Sequence, residues 1–302
     1  MTMDRRRFLK LSGVSLGAAL LGTRGIGSVR GAEDGLGMLY DASRCVGCRA
    51  CQMACKQWNG LPPESTDPQG LYESPRDLSA HTWTLIQLAE AEVDGERRQG
   101  FLKRQCMHCL HPACVSACPV GALRQTEYGA VIYDAERCIG CRYCMVACPF
   151  GVPKFEWEKP LPFIHKCTFC EDRLEAGLEP ACAEACPAGA ILFGKRAHLI
   201  AEAEDRIRNN PDKYVDHVYG KEELGGTSML YISPIPFEAL GLPILGPAPI
   251  TELSETVAVY GTPSVAVSVA TLLGGLYYWF TRQEKKLRAE EAARQEEKEA
   301  EP

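Results

Sequence analysis

The apolar and polar positions of this chain form short alternating segments, with one long apolar run near the C-terminus. Alternation predicts β-strands at residues 38–41, 81–88 and 127–133, the last of which begins with a turn. A helical period predicts an amphipathic surface helix at about 197–208. Residues 224–232 predict a glycine turn that leads into another strand. Short helices and strands in mixed order indicate an α+β fold.

The long apolar run, residues 256–281, contains no charged side chain. About 20 apolar residues can cross the hydrocarbon core of a bilayer, so the run predicts a transmembrane helix. Aromatic residues 277–279 lie at its end, where interfacial aromatics are expected. Basic residues begin the tail that follows, and glutamates precede the run, so the positive-inside rule places the C-terminus in the cytoplasm. A buried core helix or a hairpin packed against a partner is the alternative interpretation.

The N-terminal residues combine an arginine pair with a weakly apolar stretch rich in glycine and alanine. Arg5 and Arg6 are followed, after one residue, by Phe8, Leu9 and Lys10, which is the pattern of a twin-arginine export signal. This route carries folded proteins that already hold their cofactors. An ordinary basic start before a helix is the alternative.

Cysteine is the most informative residue of the composition. Sixteen of the 302 residues are cysteines, and they fall into four groups of four with none left over. The net charge of −6 is mild, and no large basic patch indicates a nucleic-acid partner. An even number of cysteines in an exported chain ordinarily suggests disulfides. The regular spacing favours metal ligation instead.

The third group has the spacing of a bacterial [4Fe–4S] ferredoxin motif, in which three cysteines bind one cluster and the fourth binds another. A chain that enters a helical turn after the third cysteine would project the fourth the other way. One such motif requires a partner motif. The four groups are Cys45-x2-Cys48-x2-Cys51-x3-Cys55, Cys106-x2-Cys109-x4-Cys114-x3-Cys118-Pro119, Cys138-x2-Cys141-x2-Cys144-x3-Cys148-Pro149 and Cys167-x2-Cys170-x11-Cys182-x3-Cys186-Pro187.

In crossed ligation, the fourth cysteine of each motif binds the cluster held by its partner motif. The second group pairs with the third in this way, because a motif, a hairpin and a motif make a complete two-cluster ferredoxin unit. By symmetry, the first and fourth groups are expected to pair in the same crossed way. One ferredoxin-like dicluster unit is then nested in the other. Four [4Fe–4S] clusters are predicted, with all sixteen thiolates as iron ligands. The predicted ligand sets are set A (Cys45, Cys48, Cys51, Cys186), set B (Cys55, Cys167, Cys170, Cys182), set C (Cys106, Cys109, Cys114, Cys148) and set D (Cys118, Cys138, Cys141, Cys144).

These elements and motifs predict five regions along the chain. The Pro-rich segment after the last predicted strand is interpreted as an extended linker over a surface. The predicted regions are a signal at 1–31, a cluster domain at 36–233 (inner unit 100–155, outer unit 38–60 and 160–195), the linker at 234–255, the transmembrane helix at 256–281 and a charged cytoplasmic tail at 282–302.

Other chemistry has little support in the sequence, which lacks a dinucleotide-binding glycine motif, a P-loop and a recognisable nucleophile–base signature. Structural zinc is the main alternative for the cysteines, although zinc ribbons lack the repeated step into a final Cys-Pro. A zinc-held structural protein and a free-standing ferredoxin-like carrier are the alternatives of another class. The basic residues beside ligands could raise cluster potentials or serve as surface charges; they are Arg44, Arg49, Arg142 and Lys166.

Several motifs resemble a known family over nearly the whole chain. Residues 51–59 and 71–83 are similar to the beta subunit of membrane-bound formate dehydrogenase. Residues 104–109 and 142–154 are similar both to that subunit and to the iron–sulfur subunit of hydrogenase-2 type [NiFe] hydrogenases. The chain therefore resembles the four-cluster iron–sulfur (beta) subunits of complex iron–sulfur molybdoenzymes, and this resemblance implies the same sixteen ligands in the same crossed pairing.

The resemblance also implies an electron-transfer subunit without a catalytic site of its own. Electrons would pass from a catalytic molybdopterin subunit, in the first place a molybdenum or tungsten formate dehydrogenase, to a membrane cytochrome b subunit that reacts with quinone. A [NiFe] uptake hydrogenase or another molybdoenzyme is the alternative partner. The expected location is the cytoplasmic membrane, with one span and with the cluster domain on the periplasmic side.

Overall fold

The computed structural model describes residues 35–64, 74–93, 95–160 and 163–299, so the predicted export signal lies outside the described residues. Contacts divide the chain into two units, Ile26–Thr251 and a unit that includes Glu252–Pro302. Strands β1–β9 are Leu36–Asp41, Leu85–Val93, Glu96–Arg104, Leu123–Gln125, Val131–Tyr133, Lys154–Phe155, Ile164–His165, Ile191–Lys195 and Met229–Ile232. Helices α1–α8 are Ala50–Trp58, Ala113–Ser116, Tyr143–Ala147, Glu171–Glu175, Ala181–Glu184, Arg196–Asn209, Thr251–Thr256 and Thr262–Glu299.

The central sheet has the strand order β8-β1-β9. Strand β1 pairs antiparallel with β8, where Tyr40 lies opposite Ile191, and parallel with β9, where Tyr40 lies opposite Tyr231. Its side chains are almost all buried, since both edges are paired and both faces are covered. The sheet thus joins the segment before the first cysteine group to the segment after the fourth.

Two antiparallel hairpins lie between cysteine groups. The predicted hairpin between the second and third groups is confirmed as β4 and β5. The longer insertion between the first and second groups forms β2 and β3, paired from Leu85↔Arg104 to Val93↔Glu96. The strand predicted at 81–88 begins later than expected, because the Thr82 amide donates to Ser79 Oγ at 2.9 Å and closes a turn there.

Helix α6 confirms the predicted amphipathic helix to within one residue at each end. Its apolar side chains Leu199, Ala203 and Ile207 recur every four residues and are buried. They pack with Leu39 and Leu230 from the central sheet, which gives the domain a second core on that face. The polar residues between them remain at the surface.

The linker prediction for residues 234–255 is wrong for the first part of that segment. Ile235, Phe237 and Leu240 are buried in the main core, and a turn is closed by the Leu240 amide, which donates to the Pro236 carbonyl at 3.2 Å. Burial of each large apolar side chain contributes roughly 1.5–3 kcal/mol. Proline frequency predicted an extended chain, whereas the apolar residues between the prolines anchor it.

The C-terminal unit consists mainly of α8, a helix of 38 residues that follows a π-helical turn at Val257–Gly261. Among the described residues, one helical stretch, Thr262–Gln295, is long and apolar enough by length and composition to cross a membrane. Ser264, Ser268 and Thr271 donate their hydroxyls to carbonyls four residues earlier, so these polar groups have partners within the helix. The charged tail predicted at 282–302 continues the same helix as far as Glu299.

Candidate iron–sulfur sites

The cysteines are free thiols that gather around cavities in the cluster domain. Set A lines a cavity of about 310 Å³, set B lines another of about 310 Å³, and set D lines one of about 300 Å³. In each cavity, three cysteines come from one sequence group and the fourth comes from a different group. The fold thus brings the first group together with the fourth, and the third together with Cys118 of the second.

Set C is gathered around Cys109, a partly buried thiol of the second group. Burial raises the pKa of Cys109 well above its ordinary value, and the charges of Cys106, Cys114 and Cys148 raise it further. Because Coulomb interactions weaken with distance, these four thiols lie in one neighbourhood. Burial also raises the pKa of Cys148, where backbone amides of residues 150–152 donate to the sulfur and oppose that effect.

The first Cys-x-x-Cys loop of each group turns through a left-handed residue at its second intervening position. Glycine fills this position in the first and third groups, whereas an aromatic ring fills it in the second and fourth. The residues are Gly47 (φ 68°), His108 (φ 45°), Gly140 (φ 70°) and Phe169 (φ 64°). This conformation directs backbone amides towards sulfur, with donor distances to the first thiol of 3.5, 3.4 and 3.4 Å in the first, third and fourth groups. Such donors stabilise a thiolate.

The Cys-Pro ends of the second and fourth groups also receive amide hydrogen bonds. Ala122 N donates to Cys118 Sγ at 3.2 Å, and Ala190 N donates to Cys186 Sγ at 3.3 Å. In both cases the chain turns after the proline and the donor lies four residues beyond the cysteine. The equal geometry indicates that the second and fourth groups share one local design.

Gly140→Ala is expected to destabilise the loop of set D by about 1–2 kcal/mol, because a left-handed conformation costs that much for a residue with a Cβ. Among the described residues, no atom outside the two adjacent residues lies within 4 Å of the added methyl group, so the cost is conformational only. Thermal unfolding of the cluster-loaded protein measures it as a lower midpoint. Gly194→Ala is the matched control, since Gly194 also has open space but an ordinary φ. Equal midpoints for the two variants would contradict the prediction.

An internal repeat, which the cysteine spacing alone does not include, relates sets A and D. The pattern Tyr-Asp-Ala-x-Arg-Cys-[Val/Ile]-Gly-Cys-Arg-x-Cys occurs at residues 40–51 and 133–144. Each tyrosine lies on a strand that leads into the loop. Burial, together with the neighbouring thiol, raises the pKa of Tyr40 beside Cys45 and that of Tyr133 beside Cys138. This repeat could have predicted from the sequence that sets A and D occupy equivalent positions in the two units.

The basic residues beside ligands differ in their surroundings. Arg44 is half exposed and lies 3.5 Å from the Asp41 carboxylate. Arg142 is exposed, and its guanidinium stacks over the ring of Trp157 at 4.5 Å. Lys166 is buried, so the interpretation as a surface charge is wrong for this residue. Sequence analysis missed a second buried lysine, Lys103, because it lies in a strand with a polar appearance.

The thiols of sets A, B and D are spread around cavities. Within the described ranges, no group of three or more His, Cys, Asp or Glu side chains is arranged to hold a single metal ion. Zinc gathers its four ligands at about 2.3 Å from one point, whereas a cubane cluster binds each thiolate at a separate iron. The donor arrangement therefore fits a [4Fe–4S] cluster better than structural zinc.

Comparison with known proteins agrees with this chemistry. A model of the 4Fe-4S dicluster domain matches residues 98–196, and a model of a 4Fe-4S binding domain matches residues 36–57. A protein of Nitratidesulfovibrio vulgaris (strain Hildenborough) is 42% identical over 301 residues, which cover 96% of this chain and 80% of that protein.

Two further relatives have informative names. The hydrogenase-2 operon protein HybA of Escherichia coli O157:H7 is 39% identical over 280 residues, which cover 80% of this chain and 84% of HybA. The nitrate-inducible formate dehydrogenase iron–sulfur subunit of Escherichia coli K12 is 42% identical over 197 residues, which cover 64% of this chain and 66% of that subunit. The chain therefore belongs to the family of iron–sulfur electron-transfer subunits that includes HybA and the formate dehydrogenase iron–sulfur subunits.

Proposed function

We propose that this chain carries electrons through four [4Fe–4S] clusters held by sets A to D, as an electron-transfer subunit of a membrane-bound oxidoreductase. The observation that carries the proposal is the composition of the three cavities, each lined by one predicted set with its crossed fourth cysteine. Bound clusters supply one-electron chemistry. The chain holds the iron with its thiolates, donates amide hydrogen bonds to sulfur and limits access of water to the buried ligands.

The electrostatic contacts between sets support a linear order A, B, C, D. Burial is the main cause of the raised pKa values of these thiols. In addition, the charge of a thiol in one set raises the pKa of a thiol in the neighbouring set. Cys182 of set B raises the pKa of Cys51 in set A. Cys106 of set C raises that of Cys167 in set B, and Cys144 of set D raises that of Cys114 in set C. Sets A and D then form the two ends of the pathway.

Both proposed ends carry exposed apolar side chains. Val46 and Met53 flank the ligands of set A, where Cys48 is itself exposed. At set D, Ile139 is 65% exposed and Val146 is 88% exposed. Apolar groups at the surface mark surfaces where partners bind. We assign one end to the catalytic subunit and the other to a membrane cytochrome b subunit that reacts with quinone.

The catalytic partner proposed from the sequence motifs is a molybdenum or tungsten formate dehydrogenase, and the 42% identity to a formate dehydrogenase subunit supports it. A [NiFe] hydrogenase is the second candidate, favoured because the similarity to HybA extends over 80% of this chain. Purification of the intact complex from membranes separates them. Molybdenum or tungsten in stoichiometric amount supports the first candidate, and nickel supports the second.

The proposed location is the outer face of the cytoplasmic membrane. Helix α8 supports a single span, and the arginine pair at residues 5–6 supports export through the twin-arginine route. The charge difference across the apolar run supports a cytoplasmic C-terminus. The cluster domain then lies on the periplasmic side.

Chemical analysis tests the cluster count. About sixteen iron and about sixteen acid-labile sulfide per chain are expected, since four cysteines hold each [4Fe–4S] cluster. The protein should be brown and should lose its visible absorption on reduction. About four zinc per chain, with no visible absorption, would contradict the proposal and favour a structural zinc protein.

A further inference from the structure

Lys103 is a fully buried lysine, with 0% of its surface exposed. Its ammonium donates to Thr84 Oγ1 at 2.8 Å and to Gln105 Oε1. In the described part of the chain, no carboxylate forms an ion pair with it. A buried ammonium without a counter-charge is costly, because desolvation is not offset by neutral hydrogen bonds alone.

The electrostatic neighbours of Lys103 are thiols from sets A and B. Cys51 of set A and Cys55 of set B are among them. Thr84, which accepts a hydrogen bond from the ammonium, lines the cavity of set B, and Ile86, which lies opposite Lys103 on the paired strand, lines the cavity of set A. Cys182 and Cys167 of set B are further neighbours of the ammonium. Lys103 therefore lies where these two sets meet.

Lys166 occupies an equivalent place between sets B and C. It is only 4% exposed, and its ammonium donates to the carbonyls of Val131 and, at 3.0 Å, of Cys167 in set B. Val131 in turn donates its amide to Nδ1 of His108 at 2.9 Å, and His108 lies in the loop between Cys106 and Cys109 of set C. No carboxylate partner of Lys166 is found in the described ranges.

Set D has no comparable buried cation among the described residues. The neighbours that act on the pKa of Cys144, besides burial, are the other thiols of its own set. Arg142 follows Cys141 directly, but its guanidinium is exposed and stacks on Trp157, so solvent screens its charge. Among the described residues, the two buried lysines that form no ion pair with a carboxylate, Lys103 and Lys166, thus both lie at junctions among sets A, B and C.

We propose that Lys103 and Lys166 are fixed counter-charges, the first shared by clusters A and B and the second shared by clusters B and C. The inference rests on the proposed binding of four clusters. Reduction of a cluster adds one electron and forms or breaks no bond, so a nearby positive charge favours the reduced state. The two lysines therefore hold the potentials of A, B and C above the values that thiolates and amides alone would set, and leave D unaffected.

The test is a redox titration followed by EPR on the intact complex that carries Lys103→Met or Lys166→Met. Methionine keeps the length of the side chain and removes the charge. In each variant the potentials of two clusters are expected to fall. One of these clusters should be common to both variants, and one of the four should move in neither.

The controls separate charge from packing. Lys103→Arg keeps the charge and is expected to keep the potentials of the unmodified protein. Lys195→Met removes an exposed lysine and the same net charge, and no potential should move. Unchanged potentials in both methionine variants, a shift of all four clusters, or a fall in iron content without a shift would each overturn the proposal. An iron content well below about sixteen per chain in the unmodified protein would instead contradict the four-cluster function.

Discussion

Cys186→Ser is expected to remove the cluster of set A while the cluster of set B stays intact. Cys186 belongs to the fourth sequence group, yet it lines the cavity of the first group, and Ala190 N donates to its sulfur. Serine is a poor ligand for iron at this site, so about four of the sixteen irons should be lost. Loss of an end cluster interrupts the pathway, and quinone-linked activity of the complex should fall to background.

A comparison of variants identifies the missing cluster. Cys186→Ser and Cys45→Ser should lose the same EPR signal, since both residues belong to set A. Cys55→Ser and Cys170→Ser should lose a different signal in common. A match between Cys186→Ser and Cys170→Ser would show that ligation within the outer unit is not crossed. The inner unit has its own pair, in which Cys148→Ser should affect the cluster of Cys106 and Cys109.

Deletion of residues 256–302 is expected to release the chain from membranes into the soluble fraction. Residues 262–281 of α8 contain no charged side chain, and nearly all of them are exposed. About 20 such residues span the hydrocarbon core of a bilayer. Cell fractionation followed by detection of the protein measures the change, and nearly all of the chain should move between fractions.

A shorter truncation is the control. Deletion of residues 282–302 removes the charged tail but keeps the apolar run, so this variant should remain in the membrane fraction. An alkaline carbonate wash separates an inserted helix from attachment through a partner subunit. If the longer deletion still resisted the wash, α8 would not be the membrane anchor.

The sequence determined the local chemistry of this protein. A spacing of three residues specifies a loop that can surround one cluster face, because such a loop depends only on nearby backbone angles and amides. Helices α6 and α8 could be predicted for the same reason. The amphipathic period of α6 and the uncharged run of α8 are both properties of consecutive residues. Family membership followed from these motifs and was confirmed by the comparisons.

The tertiary structure decided everything that depends on distant segments. The pairing of β1 with β8 brings the first cysteine group to the fourth, and no local pattern encodes that pairing. Burial of Ile235 and Phe237 turned an expected linker into part of the core. The same packing buries Lys103 between two cysteine sets, although its strand looks ordinary in the sequence. Burial and Coulomb interactions depend on all neighbours in space, so the proposed order of the sets and the proposed counter-charges could be inferred only from the folded chain.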